Sequence, residues 1–195
     1  FSGHAFRRLT HISMVVVPFL YYVHGDRISS WFSLEPTQFV SCFCFLILAI
    51  EFVRLKTGIV IVGQREYESN QISALAWGTI AVALALLIAP EGNGPGIESG
   101  IYGIPLILGM TIVDPLMGEV KRLKRDLNMA ISLGIFVSYT IWIGCYFWIG
   151  TDFIVAVLLA PLTVLGELTS SKLIDDNATM VLFPLCGLVL LFPFL

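Results

Sequence analysis

The sequence alternates between long apolar runs and short polar connections. The apolar runs cover residues 9–23, 37–53, 72–90, 97–117, 127–149, 153–168 and 178–195. A helix that crosses a bilayer needs about 20 mostly apolar residues. The pattern therefore predicts an all-α fold, a polytopic membrane bundle of about seven transmembrane helices.

The length of the chain leaves no room for a second, soluble domain. Seven spans and their connections use up 195 residues, so residues 1–195 are predicted to form a single transmembrane helical domain. The apolar segment 57–63 is too short to span, and either extends the second helix or lies on the membrane. Because the chain starts at Phe1 and stops inside an apolar run at Leu195, it is expected to be a processed or truncated product.

Composition supports a membrane protein and excludes several other classes. Hydrophobic residues make up 57% and charged residues 13% of the chain, with a mean hydropathy of +0.88. Soluble domains have about 45–50% apolar and about 25% charged residues. This excludes a soluble enzyme, a disordered chain and a nucleic-acid-binding protein, and the net charge of −3 points to no polyanionic partner. Cys42, Cys44, Cys145 and Cys186 lack metal-ligand spacing and are interpreted as packing residues.

The basic residues predict the orientation of the bundle. Arg27 alone falls on one side of the seven predicted spans. The other ten lie on the opposite side: Arg7, Arg8, Arg54, Lys56, Arg65, Lys121, Arg122, Lys124, Arg125 and Lys172. Short cytoplasmic loops carry the excess of Lys and Arg. The N-terminus is therefore predicted to be cytoplasmic, in an integral membrane protein.

Most of the carboxylates are predicted to lie on the cytoplasmic side as well. The rule that places Lys and Arg in cytoplasmic loops does not explain their position. Glu51, Asp114 and Glu167 lie at the inner ends of predicted helices. Ionisable groups at membrane depth are costly and usually face the bundle interior or a wet cavity. They therefore indicate a functional site that faces the cytoplasm.

The most distinctive local feature surrounds Asp114. An apolar helix is expected to end there, broken by Pro115 and Gly118, before a cationic run over 121–125. A carboxylate at a broken helix end can bind Mg²⁺, and nearby cations can neutralise phosphate oxygens. The alternative is a stop-transfer loop, in which Asp114 caps the helix and the cations anchor it at the headgroups.

Acidic residues also flank the start of the last span. Glu167 precedes the sequence Asp175-Asp176-Asn177. Asp and Asn are good N-caps, and capping by Asp176 or Asn177 is one interpretation. Because two adjacent carboxylates and an amide exceed what capping needs, contact with a metal or substrate is the other.

Two further groups combine basic and acidic residues. His11 shares a predicted helical face with Arg7 and Arg8. It is either a buried, satisfied histidine or part of a site, and the basic pair is also a topology signal. Glu51 and Arg54 are spaced i, i+3, and Arg65 is followed by Glu66 and Glu68. They are consistent with ion pairs in a polar crevice.

In this order, the motifs resemble those of the CTP-dependent polyprenol kinases, the dolichol and phytol kinase family, which is related to phosphatidate cytidylyltransferases. The resembling motifs are Arg7-Arg8-x-x-His11, Glu51-x-x-Arg54, Arg65-x-x-Glu68, the small-residue run 73–78, Val113-Asp114-Pro115-Leu116, and the acidic Glu167 followed by Asp175-Asp176-Asn177. Val113 stands where the family's GDxxA element has Gly, and Met117 where it has Ala. The glycines that follow in the family, and its later Lys-rich stretch, are absent.

The resemblance implies a kinase that transfers the terminal phosphate of CTP to a polyisoprenoid alcohol, with Mg²⁺ as cofactor. Asp114 with Asp175 or Asp176 would hold the metal. Lys121 and Arg122 would stabilise the transferred group, and Glu167 would orient the alcohol. The substrate-binding residues implied are Arg8, His11, Glu51, Arg54, Arg65, Glu68 and Asn177.

Three alternatives stay open. The departures from the family motif favour a non-catalytic membrane subunit, which would act through membrane-protein partners. A cytidylyltransferase acting on a lipid phosphate could use the same charged face. A small transporter would need charges in the middle of its spans, where this sequence has almost none.

Overall fold

The computed structural model describes residues 9–59, 71–169 and 174–195, and every regular element in those ranges is helical. The helices are α1 (Val16–Ser30), α2 (Pro36–Thr57), α3 (Ala74–Ile88), α4 (Gly103–Leu108), α5 (Asp114–Lys124), α6 (Leu127–Ile149), α7 (Phe153–Leu168) and α8 (Asp176–Leu191). A π turn (Gly109–Val113) joins α4 to α5, and 3₁₀ turns cover Gly96–Gly100 and Phe192–Phe194. The all-α prediction is confirmed, since each predicted apolar run falls on a helix.

Among the described residues, four helical segments are long and apolar enough to cross a membrane, as a membrane protein requires. They are Pro36–Thr57, Gly103–Lys124, Leu127–Ile149 and Asp176–Phe194, while α3 and α7 are shorter apolar helices. Large apolar side chains also cover the outside of the bundle: Phe45, Phe136 and Phe147 are each at least 68% exposed. In a bilayer such a surface contacts apolar lipid tails, so no other part of the protein needs to bury it.

Within the bundle, α7 packs along α8 and α6, α8 packs on α3, and α3 on α2. The core follows the segment from α4 to α5, where Ile104, Met110 and Met117 are fully buried, together with Trp142 of α6. This segment is therefore the central span, and residues on it that face the core are held firmly.

Helix α1 extends further than the sequence predicts. Residues 9–13 are helical, a turn interrupts the helix at Met14, and α1 then runs to Ser30. Pro18 has no N–H to donate to Met14, which accounts for the interruption. The predicted end at Val23 is wrong, because Gly25 continues the helix and packs against Pro36 at the start of α2.

The predicted break at Asp114 is also wrong. Pro115 lies in the first turn of α5, Gly118 is helical, and the segment 118–124, expected to be a connection, is the rest of that helix. The π turn before α5 supplies the local widening that a proline requires. Asp114 therefore projects from a continuous helical span, which ends only at Arg125 with a left-handed φ of 53°.

Helices α7 and α8 meet with their backbones almost in contact. A Cβ atom on Gly166 would lie 2.5 Å from the carbonyl oxygen of Thr179 and 2.6 Å from Cα of Met180. The Thr179 hydroxyl donates a hydrogen bond to the Gly166 carbonyl at 2.7 Å. This approach brings the end of α7 beside the start of α8, and with them Glu167 and Asp176.

We expect Gly166→Ala to destabilise the protein by about 1–3 kcal/mol, because the new methyl group would meet backbone that cannot rotate away. Gly144→Ala in α6 is the matched control, since a Cβ there meets nothing within 4 Å. Thermal unfolding of both variants in the same detergent measures the difference. Equal midpoints would show that the α7–α8 contact tolerates the extra carbon.

Candidate functional site

Three carboxylates from three helices converge at one end of the bundle. Asp114 begins α5, Glu167 is the penultimate residue of α7, and Asp176 begins α8. One oxygen of each lies within 4.8 Å of the others. Because these residues are far apart in sequence, only tertiary packing assembles the group, which we call the carboxylate cluster.

Two basic side chains border the carboxylate cluster. Lys121 Nζ lies 2.7 Å from Glu167 Oε1, and His11 Nε2 lies 3.5 Å from Asp114 Oδ2. Lys121 follows Asp114 by two turns of α5 and shares its face. Its side chain is 33% exposed whereas that of Glu167 is 5% exposed, so Lys121 reaches the cluster from the surface of the bundle. Among the described residues, three carboxylates thus face one ammonium group and one imidazole.

Some of the polar atoms at the cluster have no hydrogen-bond donor within the described part of the chain. Glu167 Oε2 and the side-chain oxygen of Asn177 are both buried acceptors of this kind. A buried, unpaired carboxylate oxygen is costly. Both atoms are hydrogen-bond acceptors. A bound cation would therefore satisfy Glu167 Oε2, whereas a further carboxylate or carbonyl oxygen, which is also an acceptor, could not.

The donor set suits a hard divalent cation. Mg²⁺ takes oxygen ligands at 2.0–2.1 Å, which places its ligands about 3 to 4 Å apart. The cluster oxygens, within 4.8 Å of one another, need only small side-chain rotations to reach that spacing. Asp114, Glu167 and Asp176 would then supply three ligands, leaving other positions for water or phosphate oxygens.

The carboxylate cluster differs in one member from the metal set predicted from sequence. It includes Glu167, expected to orient the alcohol, and it does not include Asp175. Asp175 is the N-cap of α8, and its side chain accepts a hydrogen bond from the Asn177 backbone N–H at 3.2 Å. Metal binding by Asp175 stays a prediction, while capping already accounts for its position.

Arg122 lies on a different face from Lys121. It forms an ion pair with Glu119 one turn earlier, with Nη2 2.6 Å from Oε1, and its side chain is largely exposed. The predicted catalytic role of Arg122 stays a prediction, whereas Lys121 contacts the carboxylate cluster directly.

Glu51 and Arg54 form a buried ion pair that connects the end of α2 to the start of α3. Arg54 donates to both carboxylate oxygens of Glu51, at 2.9 and 2.8 Å, and to the backbone carbonyls of Ile59 and Gln71. Glu51 also accepts the backbone N–H of Ser73 at 2.6 Å. This clamp joins the end of α2 to the start of α3, so it has a structural role whether or not a substrate reaches it.

Several residues of the predicted site lie outside the described residues. These are Arg8, Arg65 and Glu68, together with Arg7, Glu66 and Lys172. Their predicted roles in substrate binding and topology stay predictions.

Comparison of the chain with protein-family models, curated proteins and solved structures finds no match. A function for this chain therefore has to be inferred from the geometry of the site and from the motif resemblance. Sequence reasoning missed the role of Gly166, although a glycine directly before an intramembrane Glu167 was a usable signal. It also missed the π turn before Asp114, for which only Pro115 gave a hint.

We expect Arg54→Met to cost about 3–5 kcal/mol, because it leaves the buried Glu51 carboxylate without its partner. Lys56→Met, at an exposed position of the same turn, is the control. It loses only the contact of the ammonium group with the Phe52 ring and should change stability by less than about 1 kcal/mol. Chemical unfolding in mixed micelles measures both. Similar losses would mean that Arg54 acts only as a surface charge.

Proposed function

We propose that this protein is an integral-membrane lipid kinase that transfers the terminal phosphate of CTP to the hydroxyl of a polyisoprenoid alcohol. The observation that carries the proposal is the carboxylate cluster beside Lys121, with a buried Glu167 oxygen that has no donor among the described residues. Cytidine and the polyisoprenoid acceptor come from the motif resemblance alone.

The proposal includes seven spans, a cytoplasmic N-terminus and a site that faces the cytoplasm. The shorter helices α3 and α7, and the helical region from residue 9 to Ser30, would complete the seven. The distribution of Lys and Arg supports this orientation. Lys121, Arg122 and Lys124 lie on α5 at the cluster end of the bundle, where a water-soluble nucleotide would arrive.

Phosphoryl transfer requires positioning and charge neutralisation more than covalent catalysis. The alcohol oxygen attacks the terminal phosphorus, the bond to the bridging oxygen breaks, and CDP leaves. Mg²⁺ held by the cluster would neutralise phosphate oxygens. Lys121 would stabilise charge on the transferred group, and the His11 imidazole beside Asp114 is our candidate for accepting the hydroxyl proton.

A non-catalytic membrane subunit is the second candidate, and a specific observation favours it. Val113 and Met117, at the positions where the resembling family has small residues, are fully buried in the core. Met117 packs against Gly134 of α6. The segment that would carry a nucleotide element is thus a continuous helix with large side chains.

The direct test is purified protein in lipid nanodiscs with Mg²⁺, CTP labelled in the terminal phosphate, and a panel of prenols. We expect a labelled lipid phosphate, and a loss of about 10²–10³-fold in rate for Asp114→Asn, because it removes charge that would hold the metal. Glu91→Gln, an exposed carboxylate in the connection between α3 and α4, is the control and should keep full activity.

Two outcomes would replace this proposal. Incorporation of CMP into lipid, followed with label in the α-phosphate, would select the cytidylyltransferase. Absence of both product and CTP binding in folded protein would select the non-catalytic subunit.

Lys121→Gln should separate catalysis from metal binding. We expect a fall in kcat of about 10²-fold, together with tighter Mg²⁺ binding, because the variant removes a positive charge from the carboxylate cluster. Lys124→Gln, exposed three residues later, should change neither quantity. The Mg²⁺ dependence of the rate measures both effects, and identical profiles for the two variants would contradict the role of Lys121.

A further inference from the structure

A cavity of about 320 Å³ lies between α1, α2 and α3, apart from the carboxylate cluster. It is lined among others by Met14, Val17, Phe39, Phe43, Val82 and Leu86. Phe43 and a further lining residue, Leu20, are about half exposed on the outside of the bundle. The cavity is therefore a lateral groove that opens toward lipid, which we call the α1–α3 groove.

The lining of this groove selects hydrocarbon. None of its residues is charged, and its polar side chains are those of Tyr21, Cys44 and Thr79. The Thr79 hydroxyl is engaged with the Leu75 carbonyl at 2.8 Å, which leaves one phenol and one thiol in an otherwise apolar lining. A phosphate or nucleotide would lose its hydration there without gaining partners. The volume is at the lower end of the range for small-molecule pockets, about 300–1,000 Å³, so it suits a segment of a single chain.

The groove also has a direction. Its α1 side runs from Val17 to Gly25 and beyond, a rise of about 12 Å between those two residues at 1.5 Å per residue, and Met14, in the turn before α1, lines the groove as well. Met14 lies one helical turn from His11, whose Nε2 is 3.5 Å from Asp114 Oδ2. One end of the groove therefore comes close to the carboxylate cluster, and the other lies near the opposite end of the bundle.

We propose that the α1–α3 groove holds the hydrocarbon chain of the lipid acceptor, so that its hydroxyl lies at His11 and Asp114. The identity of this chain as an acceptor rests on the proposed function. The groove encloses the part of the chain nearest the hydroxyl, and the remainder of a longer chain leaves through the open side into the bilayer.

The first experiment fills the groove. In Val17→Trp the indole would occupy the space of the chain, whereas Val16→Trp adds the same side chain at a position that is 51% exposed. We expect Val17→Trp to raise the KM for a long prenol roughly tenfold, and to raise the KM for a five-carbon prenol less, because the shorter chain fills only the end of the groove nearest the hydroxyl. Val16→Trp should match the unchanged protein with both. Equal KM values for the long prenol in both variants would overturn the proposal.

The second experiment needs no catalysis. A long-chain alcohol with a diazirine on its chain is cross-linked to the protein in nanodiscs, and the labelled positions are mapped by mass spectrometry. We expect label in the three stretches that line the groove, 14–28, 36–44 and 79–86, less label in Val17→Trp, and competition by excess prenol. Competition by prenol would support the groove proposal even in a protein without kinase activity. The result therefore tests the groove separately from the proposed kinase function.

Two results would overturn the groove proposal while leaving the kinase intact. Label spread over outward faces such as those of Phe45 and Phe136 would show that the chain stays in bulk lipid. Equal labelling of the groove by a phospholipid that carries the same diazirine, without competition by prenol, would show that ordinary bilayer lipid fills it.

Discussion

The close approach of α7 and α8 at Gly166 is the contact on which the rest of the site depends. Two acidic side chains, Glu167 and Asp176, lie on either side of that contact, and their mutual repulsion opposes it. The backbone contact and the hydrogen bond from Thr179 to Gly166 hold the helices together nonetheless. Packing of this kind is the main force between helices in lipid, where no hydrophobic effect drives them together. The fold thus stabilises an arrangement that the charges alone would separate.

The two buried glutamates Glu51 and Glu167 show how the surroundings decide the role of a charge. Glu51 is fully paired with Arg54 and with the backbone of Ser73, and that geometry satisfies a buried carboxylate. Glu167 has Lys121 on one oxygen, and its other oxygen has no donor among the described residues. A buried carboxylate with partners on both oxygens needs no ligand, whereas one with a partner on a single oxygen is a candidate binding site.

The apolar runs predicted the all-helical character of this fold, because runs of helix length leave little choice in a membrane. The bounds of α6 and α7 agree with the sequence prediction to the residue. The errors at Gly25 and Pro115 have one cause: local helix breakers were read without the tertiary packing that overrides them. The convergence of Asp114, Glu167 and Asp176 was expected from their common side of the membrane. The presence of Glu167 in the cluster, in place of Asp175, was not expected. It depends on which carboxylate caps α8 and on where α7 ends, and both are set by tertiary packing.

The kinase proposal requires a water-soluble donor and a membrane-soluble acceptor to meet without either leaving its own solvent. The polar helix α5, with Lys121 partly exposed, borders the carboxylate cluster on one side. His11 borders the cluster from the first helical segment, next to the α1–α3 groove that opens to lipid. A nucleotide and an alcohol could therefore approach the same carboxylates from different directions. The proposed reaction requires such a separation, because its phosphate donor is soluble in water and its acceptor is soluble in lipid.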